Sequence, residues 1–161
     1  MRVPTRRYDE KRQALDPYLT KDKYNELKDK LNHLKKVTRL RLMKEVATLA
    51  EHGDFSENAA YQIAKGRLRS VNDAIYILEE HLKKAIIISG NKNQDKVAIG
   101  SKVTVLVDGV EKVFTILGSS ELDLSKNIIS HNSPLGLALL NARVGDEISL
   151  AKKGYKVVKI D

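Results

Sequence analysis

No cysteine occurs in the 161 residues. Disulfides, thiolate zinc sites and cysteine nucleophiles are therefore excluded, and a reducing cytoplasm is compatible with the absence. No apolar run approaches the roughly 20 residues that a membrane-spanning helix needs. The N-terminus is basic but lacks the apolar segment of a secretory signal. The sequence predicts a soluble, cytoplasmic protein with no membrane partner. Conventional active-site signatures are missing as well: there is no GxSxG, Walker loop, HExxH or GxGxxG. Histidine is scarce, and His33, His52, His81 and His131 have no metal-ligand spacing. His33 and His81 are expected on the surface of a helical hairpin, and spacing assigns no role to His52 or His131.

What is present is charge and helical periodicity. Hydrophobic residues make up 42% and charged residues 31%, enough for a core but with a large solvated surface. Lys and Arg number 29 against 21 Asp and Glu, a formal net charge of +8. Such an excess serves solubility or suits an acidic partner, such as nucleic acid or an acidic protein groove.

Residues 1–17 form a basic extension in which Pro4 and Pro17 oppose a continuous helix. It reads as a flexible or loosely docked arm, or as an arm that touches a partner. A first long helix is predicted from Thr20, a good N-cap, to Ala50. Its apolar seam runs through Tyr24, Leu27, Leu31 and Leu34, then less regularly through Val37, Leu42, Val46 and Leu49. Such a helix is roughly 45 Å long and needs a partner helix. A second helix is predicted over residues 56–85, with a cleaner seam at Tyr61, Ala64, Leu68, Val71, Ile75, Leu78, Leu82 and Ala85. The short connection between the two requires an antiparallel hairpin, with its tip at residues 52–58.

Beyond residue 86 the period becomes strand-like. Strands are predicted over 102–107 and 111–117, around an Asp108-Gly109 turn, with a short strand at 128–130. Ser133 caps a short helix that opens with Pro134. A final strand pair, 147–150 and 155–160, surrounds a Lys-Lys-Gly turn. The reading is an α+β chain: a coiled-coil hairpin over 18–86, and over 87–161 an antiparallel sheet with one short helix.

The connection between the helices carries the most distinctive chemistry. Asp54 and Glu57 lie three residues apart at the start of the second helix. One reading is a capping box, with Asp54 as N-cap and Glu57 reaching back. The other is a carboxylate pair for a hard cation such as Mg²⁺, which needs further oxygen ligands from elsewhere. Lys65, Arg67 and Arg69 follow, either as a solvated face or as a basic patch beside the tip.

The stretch His52-Gly53-Asp54-Phe55-Ser56-Glu57-Asn58-Ala59-Ala60-Tyr61 closely resembles the tip motif of the Gre transcript cleavage factors of bacterial RNA polymerase. Tyr18-Leu19-Thr20, the run Ala64 to Arg69, the run Asn127 to Leu140 and Val144-Gly145-Asp146 are similar to that family too, so the likeness spans about residues 18–161. It implies a coiled-coil hairpin and an FKBP-like C-terminal sheet. It further implies a monomeric, non-enzymatic factor that docks on the rim of the secondary channel of RNA polymerase. Asn132, Ser133, Pro134 and Leu135 match the docking loop. The tip would supply Asp54 and Glu57 to a second Mg²⁺, with Ser56 positioning ion or water, and the polymerase would then cleave backtracked nascent RNA. Lys65, with Arg67 and Arg69, would contact that RNA. No metal would be held stably by the chain alone. A DNA-binding property is a further expectation of the same resemblance. The chain departs from many members at Ala60, where they carry Glu, and in its extension and net charge.

Two other functions compete with this one. A channel-binding regulator that inhibits without cleavage need not keep the acidic pair. A stand-alone prolyl isomerase needs an apolar pocket, and Phe114 and Tyr155 are few aromatics with which to build one.

Overall fold

The computed structural model describes residues 15–51, 59–88, 95–151 and 153–161. They divide into two compact units, residues 15–21 with 86–161, and Asp22–Ala85. Among them no helix is long and apolar enough to cross a membrane.

In the helical unit, α1 (Lys21–His33) leads into a π-helical turn, Leu34–Thr38, and then into α2 (Arg39–Ala50). The return helix is α3 (Ala59–Lys83). The π turn explains the irregular seam. Leu27 to Leu34 and Leu42 to Leu49 are each one heptad, whereas Leu34 to Leu42 is a heptad plus one residue. The turn absorbs the extra residue, with Arg39 N–H donating to Leu34 O. Val37, expected on the seam, is consequently rotated out and 52% exposed, while Thr38 turns partly inward. The seam of α3 needs no correction: Ala64 and Ile75 are buried, and its other members through Ala85 are half-buried. His33 is exposed as expected, but His81 is buried. It sits one position from the seam residue Leu82, where the 3.6-residue helical turn widens the inward face beyond a strict heptad line.

The helices run antiparallel. Lys35 pairs with Glu79, and further along α2 Glu45 faces Arg67 at 3.8 Å, so residue numbers fall on one helix as they rise on the other.

In the second unit a five-stranded sheet has the order β5-β4-β3-β7-β6. The strands are β3 (Lys102–Val107), β4 (Val110–Leu117), β5 (Ile128–Ser130), β6 (Glu147–Leu150) and β7 (Lys153–Ile160). Asp108 and Gly109 both take positive φ, 52° and 79°, the geometry of a two-residue hairpin turn. Most neighbours are antiparallel. The exception is β5, which lies parallel to β4 because residues 118–127 carry the chain back across the edge before it resumes. The last hairpin also closes earlier than the Lys-Lys-Gly reading, since Leu150 already faces Lys153. One face of the sheet carries the core: Val103, Val105, Ile116, Ile129 and Val157 pack with Val97, Ala142 and Leu139 of α4 (Pro134–Leu139).

A small separate ladder joins β1 (Tyr18–Leu19) in parallel to β2 (Ile86–Ile87). The sequence reading grouped residues 18–20 with the coiled coil, but in the fold they are a strap on the C-terminal unit. Ile86 N–H donates to Pro17 O at 2.7 Å, and Ile88 N–H to Leu19 O at 2.8 Å.

Candidate functional site

The hairpin's connection is bounded by Ala50 and Ala59, the ends of α2 and α3. Asp54, Ser56 and Glu57, in either the capping or the metal reading, lie outside the described residues, as does His52. Among the described residues no group of three or more His, Asp and Glu side chains is placed to hold a metal. The three basic residues that follow do not form one patch. Lys65 and Arg69 are four apart and share a face, whereas Arg67 points about 160–200° away. Lys65 Nζ sits 5.7 Å from the Tyr61 ring centre, a cation–π distance. Arg67 instead faces Glu45 across the groove to α2.

The expected docking loop is built around Ser130 at the end of β5. Ser133 Oγ donates to Ser130 O at 2.7 Å and accepts from Gly136 N–H at 3.0 Å, so it caps α4 as its position before Pro134 predicts. A Cβ at Gly136 would collide with the Ser130 carbonyl, which is why the helix can sit so close to the strand. Asn132 and Pro134 are exposed, but Leu135 is half-buried and packs on the core. The exposed apolar residue of this helix is Leu137, one turn beyond Pro134 and 59% accessible.

Beneath the loop lies a polar cluster that sequence reasoning missed. Asp16, at the start of the strap, has a side chain only 5% exposed. Its Oδ2 accepts from Ser119 N–H at 2.7 Å and from Ser119 Oγ–H at 2.8 Å, and it faces His131 Nδ1 at 3.2 Å. Its Oδ1 accepts from Tyr18 N–H at 3.1 Å. The His131 ring meets Tyr18 edge-on at 5.3 Å. Thr20 donates its N–H and hydroxyl to the Glu121 carboxylate at 2.7 and 2.6 Å. Gly118 permits this docking, because a Cβ there would strike the Tyr18 carbonyl. Burial is the largest single influence on the Asp16 carboxyl and pushes its pKa up. The hydrogen bonds from Ser119 and Tyr18, with the nearby His131, together outweigh it and hold the group below the ordinary aspartate value. The one local sign in the sequence is Asp16 two residues before Tyr18, an Asx-turn spacing; the Ser119 contact has none.

Phe114 and Tyr155 are half-buried and pack against the core cluster. Nothing found supports the DNA-binding expectation.

Comparison with known proteins agrees with the two-part architecture. Residues 17–87 match the family described as transcription elongation factor, N-terminal, and residues 92–161 match transcription elongation factor, GreA/GreB, C-term. Transcription elongation factor GreA of Geobacillus kaustophilus (strain HTA426) is 37% identical over 143 residues, covering 87% of this chain and 90% of that one. The GreA of Orientia tsutsugamushi (strain Ikeda) is 38% identical over 144 residues, covering 85% and 91%. Among solved structures, GreA factor homolog 1 (Gfh1) of Thermus thermophilus is 27% identical with a TM-score of 0.42, covering 89% of this chain and 97% of that one. At this identity, and over nearly the whole length of its relatives, the chain belongs to the GreA/GreB family of transcription elongation factors.

Proposed function

We propose that this protein enters the secondary channel of bacterial RNA polymerase and stimulates the polymerase's own Mg²⁺-dependent cleavage of backtracked RNA, which returns arrested complexes to elongation. Family membership is the observation that carries this reading. The antiparallel hairpin supports it, because residues 51–58, with Asp54 and Glu57, connect its two helices at one end. The chain is a helper of the polymerase and works where the polymerase works, in the cytoplasm.

Two carboxylates and a hydroxyl are oxygen donors suited to a hard cation, but they are too few to satisfy Mg²⁺. Asp54 and Glu57 would hold the ion only together with carboxylates of the polymerase. Bound there, Mg²⁺ supplies water activation and charge stabilisation. Ser56 contributes a hydroxyl that orients water, and the α3 face bearing Lys65 and Arg69 holds RNA phosphates. Arg67 is engaged toward α2 and contributes less to that face. The loop Asn132–Leu135 docks on the channel rim through Asn132 and Pro134, with Ser133 fixing the loop and Leu135 anchoring it to the core.

The test is RNA cleavage in a stalled, backtracked complex. The wild-type protein should shorten the RNA, and D54A/E57A should lose that activity by at least a hundredfold, the scale of removing groups that act on the reacting centre, while still binding polymerase. Binding without any cleavage by the wild type would replace this reading with that of a channel-occupying regulator.

A further inference from the structure

We infer that Asp16 is a positioning residue for the loop Asn132–Leu135, and that it holds the loop through a one-way hydrogen-bond relay across Ser119 and Ser130. The inference rests on the docking role of that loop proposed above.

The direction of the relay follows from counting protons. An ionised carboxylate only accepts, and a serine hydroxyl has one proton to give. Ser119 Oγ gives its proton to Asp16 Oδ2. In the 2.8 Å contact between the two hydroxyls, Ser130 Oγ must therefore be the donor and Ser119 Oγ the acceptor. That leaves Ser130 Oγ as acceptor for Asn132 N–H at 3.1 Å. Asn132 Nδ2 closes the circuit by donating to Ser119 Oγ at 3.4 Å. Every proton from the Asn132 backbone inward points at Asp16. A group that can only accept is required at the end, and aspartate supplies it. His131, next to Asn132 in the chain, faces the same oxygen. Ser133 is tied separately to the Ser130 backbone carbonyl, so the relay and this bond together hold Asn132 and Ser133 at the loop's entry.

Asparagine at position 16 keeps the shape and reverses the chemistry. Its amide NH₂ would face either Ser119 N–H or Tyr18 N–H, two donors pointing at each other. In the first orientation the relay loses its fixed end and Asn132 is free to turn. In the second the amide oxygen still accepts from Ser119 and the conflict falls on Tyr18 N–H, so S119A, which removes the central hydroxyl, breaks the relay in either case.

The experiment uses the full-length protein and core bacterial RNA polymerase, with dissociation constants measured by fluorescence anisotropy and the Asn132 amide followed by ¹H–¹⁵N NMR. D16N is expected to weaken binding about tenfold, the loss equivalent to one charge-assisted hydrogen bond. S119A is expected to do nearly the same, and D16N/S119A no worse than the stronger single change, because all break one circuit. The Asn132 amide should shift in each, which a general loss of stability in a folded protein does not produce. P134A is the control for the docking role itself. If P134A weakens binding and S119A stays within twofold of wild type, the inference is overturned. If neither changes affinity, the docking reading falls and the inference falls with it. Where D16N proves too unstable to measure, S119A, which leaves the carboxylate in place, carries the same comparison.

Discussion

Asp16 shows at the scale of one residue how a buried charge is held. Its carboxylate is nearly sealed from water, yet three N–H and O–H donors and the His131 ring keep it ionised more readily than free aspartate. The consequence for stability has a definite sign. A carboxyl whose folded pKa lies below the unfolded value of about 3.9 stabilises the fold fully above that value. The contribution is lost as pH falls through the lowered folded value. D16N should therefore be less stable than wild type at neutral pH by about 1.5–3 kcal/mol, typical for hydrogen bonds to a charged group. The gap should narrow as pH falls below about 4 and toward the lowered folded value. Denaturant melts of both proteins at pH 7 and pH 3 check this; an equal gap at both would mean the charge plays no part. The Ser133 cap and Pro134 were legible in the sequence because capping is settled within three residues. Asp16 and Ser119 were not, since the hairpin separates them in the chain. His81 was misjudged because a seam of single positions underestimates how wide a helix face becomes buried.

Among the elements, the long first helix is the one whose sequence and structure differ most usefully. Its heptads are in step on either side of the stretch 34–42 and out of step by one residue across it. A π turn accommodates that residue at the cost of weaker backbone geometry. Deleting Lys36, which is exposed within the turn, should leave a plain α-helix with Leu27, Leu34 and the residue now at Leu42 in unbroken heptads. We expect the melting temperature to rise by about 2–4 °C, equivalent to about 1 kcal/mol in a chain of this size. Thermal unfolding followed by circular dichroism would show it, and a fall would mean that the π turn is itself stabilising. The strands were easier to read. β3 and β4 alternate and are joined by a turn that demands positive φ, so period and turn chemistry agree. The parallel placement of β5 was not legible, because no local pattern distinguishes an edge strand's direction.

For the whole molecule, the strap is the feature that sequence order conceals. Residues 15–21 belong with 86–161 although all of Asp22–Ala85 intervenes. A fragment that begins at Ile86 would lack β1, and its Ser119 and His131 would lose their carboxylate. It should melt at least 5 °C below the same fragment with residues 15–21 joined to it by a flexible linker, by the loss of several hydrogen bonds from a small domain. Equal melting temperatures would show that the strap rests on the unit without stabilising it. By itself the sequence determined the antiparallel hairpin, the sheet hairpins, the capped short helix and the family, because each depends on periodicity, turn chemistry or motifs within a few residues. Only the tertiary structure decided that Val37 turns out, that Arg67 faces Glu45 of α2, and that Asp16 underlies the Asn132–Leu135 loop. Those outcomes depend on an added residue propagating along a helix, and on contacts between segments that only folding brings together.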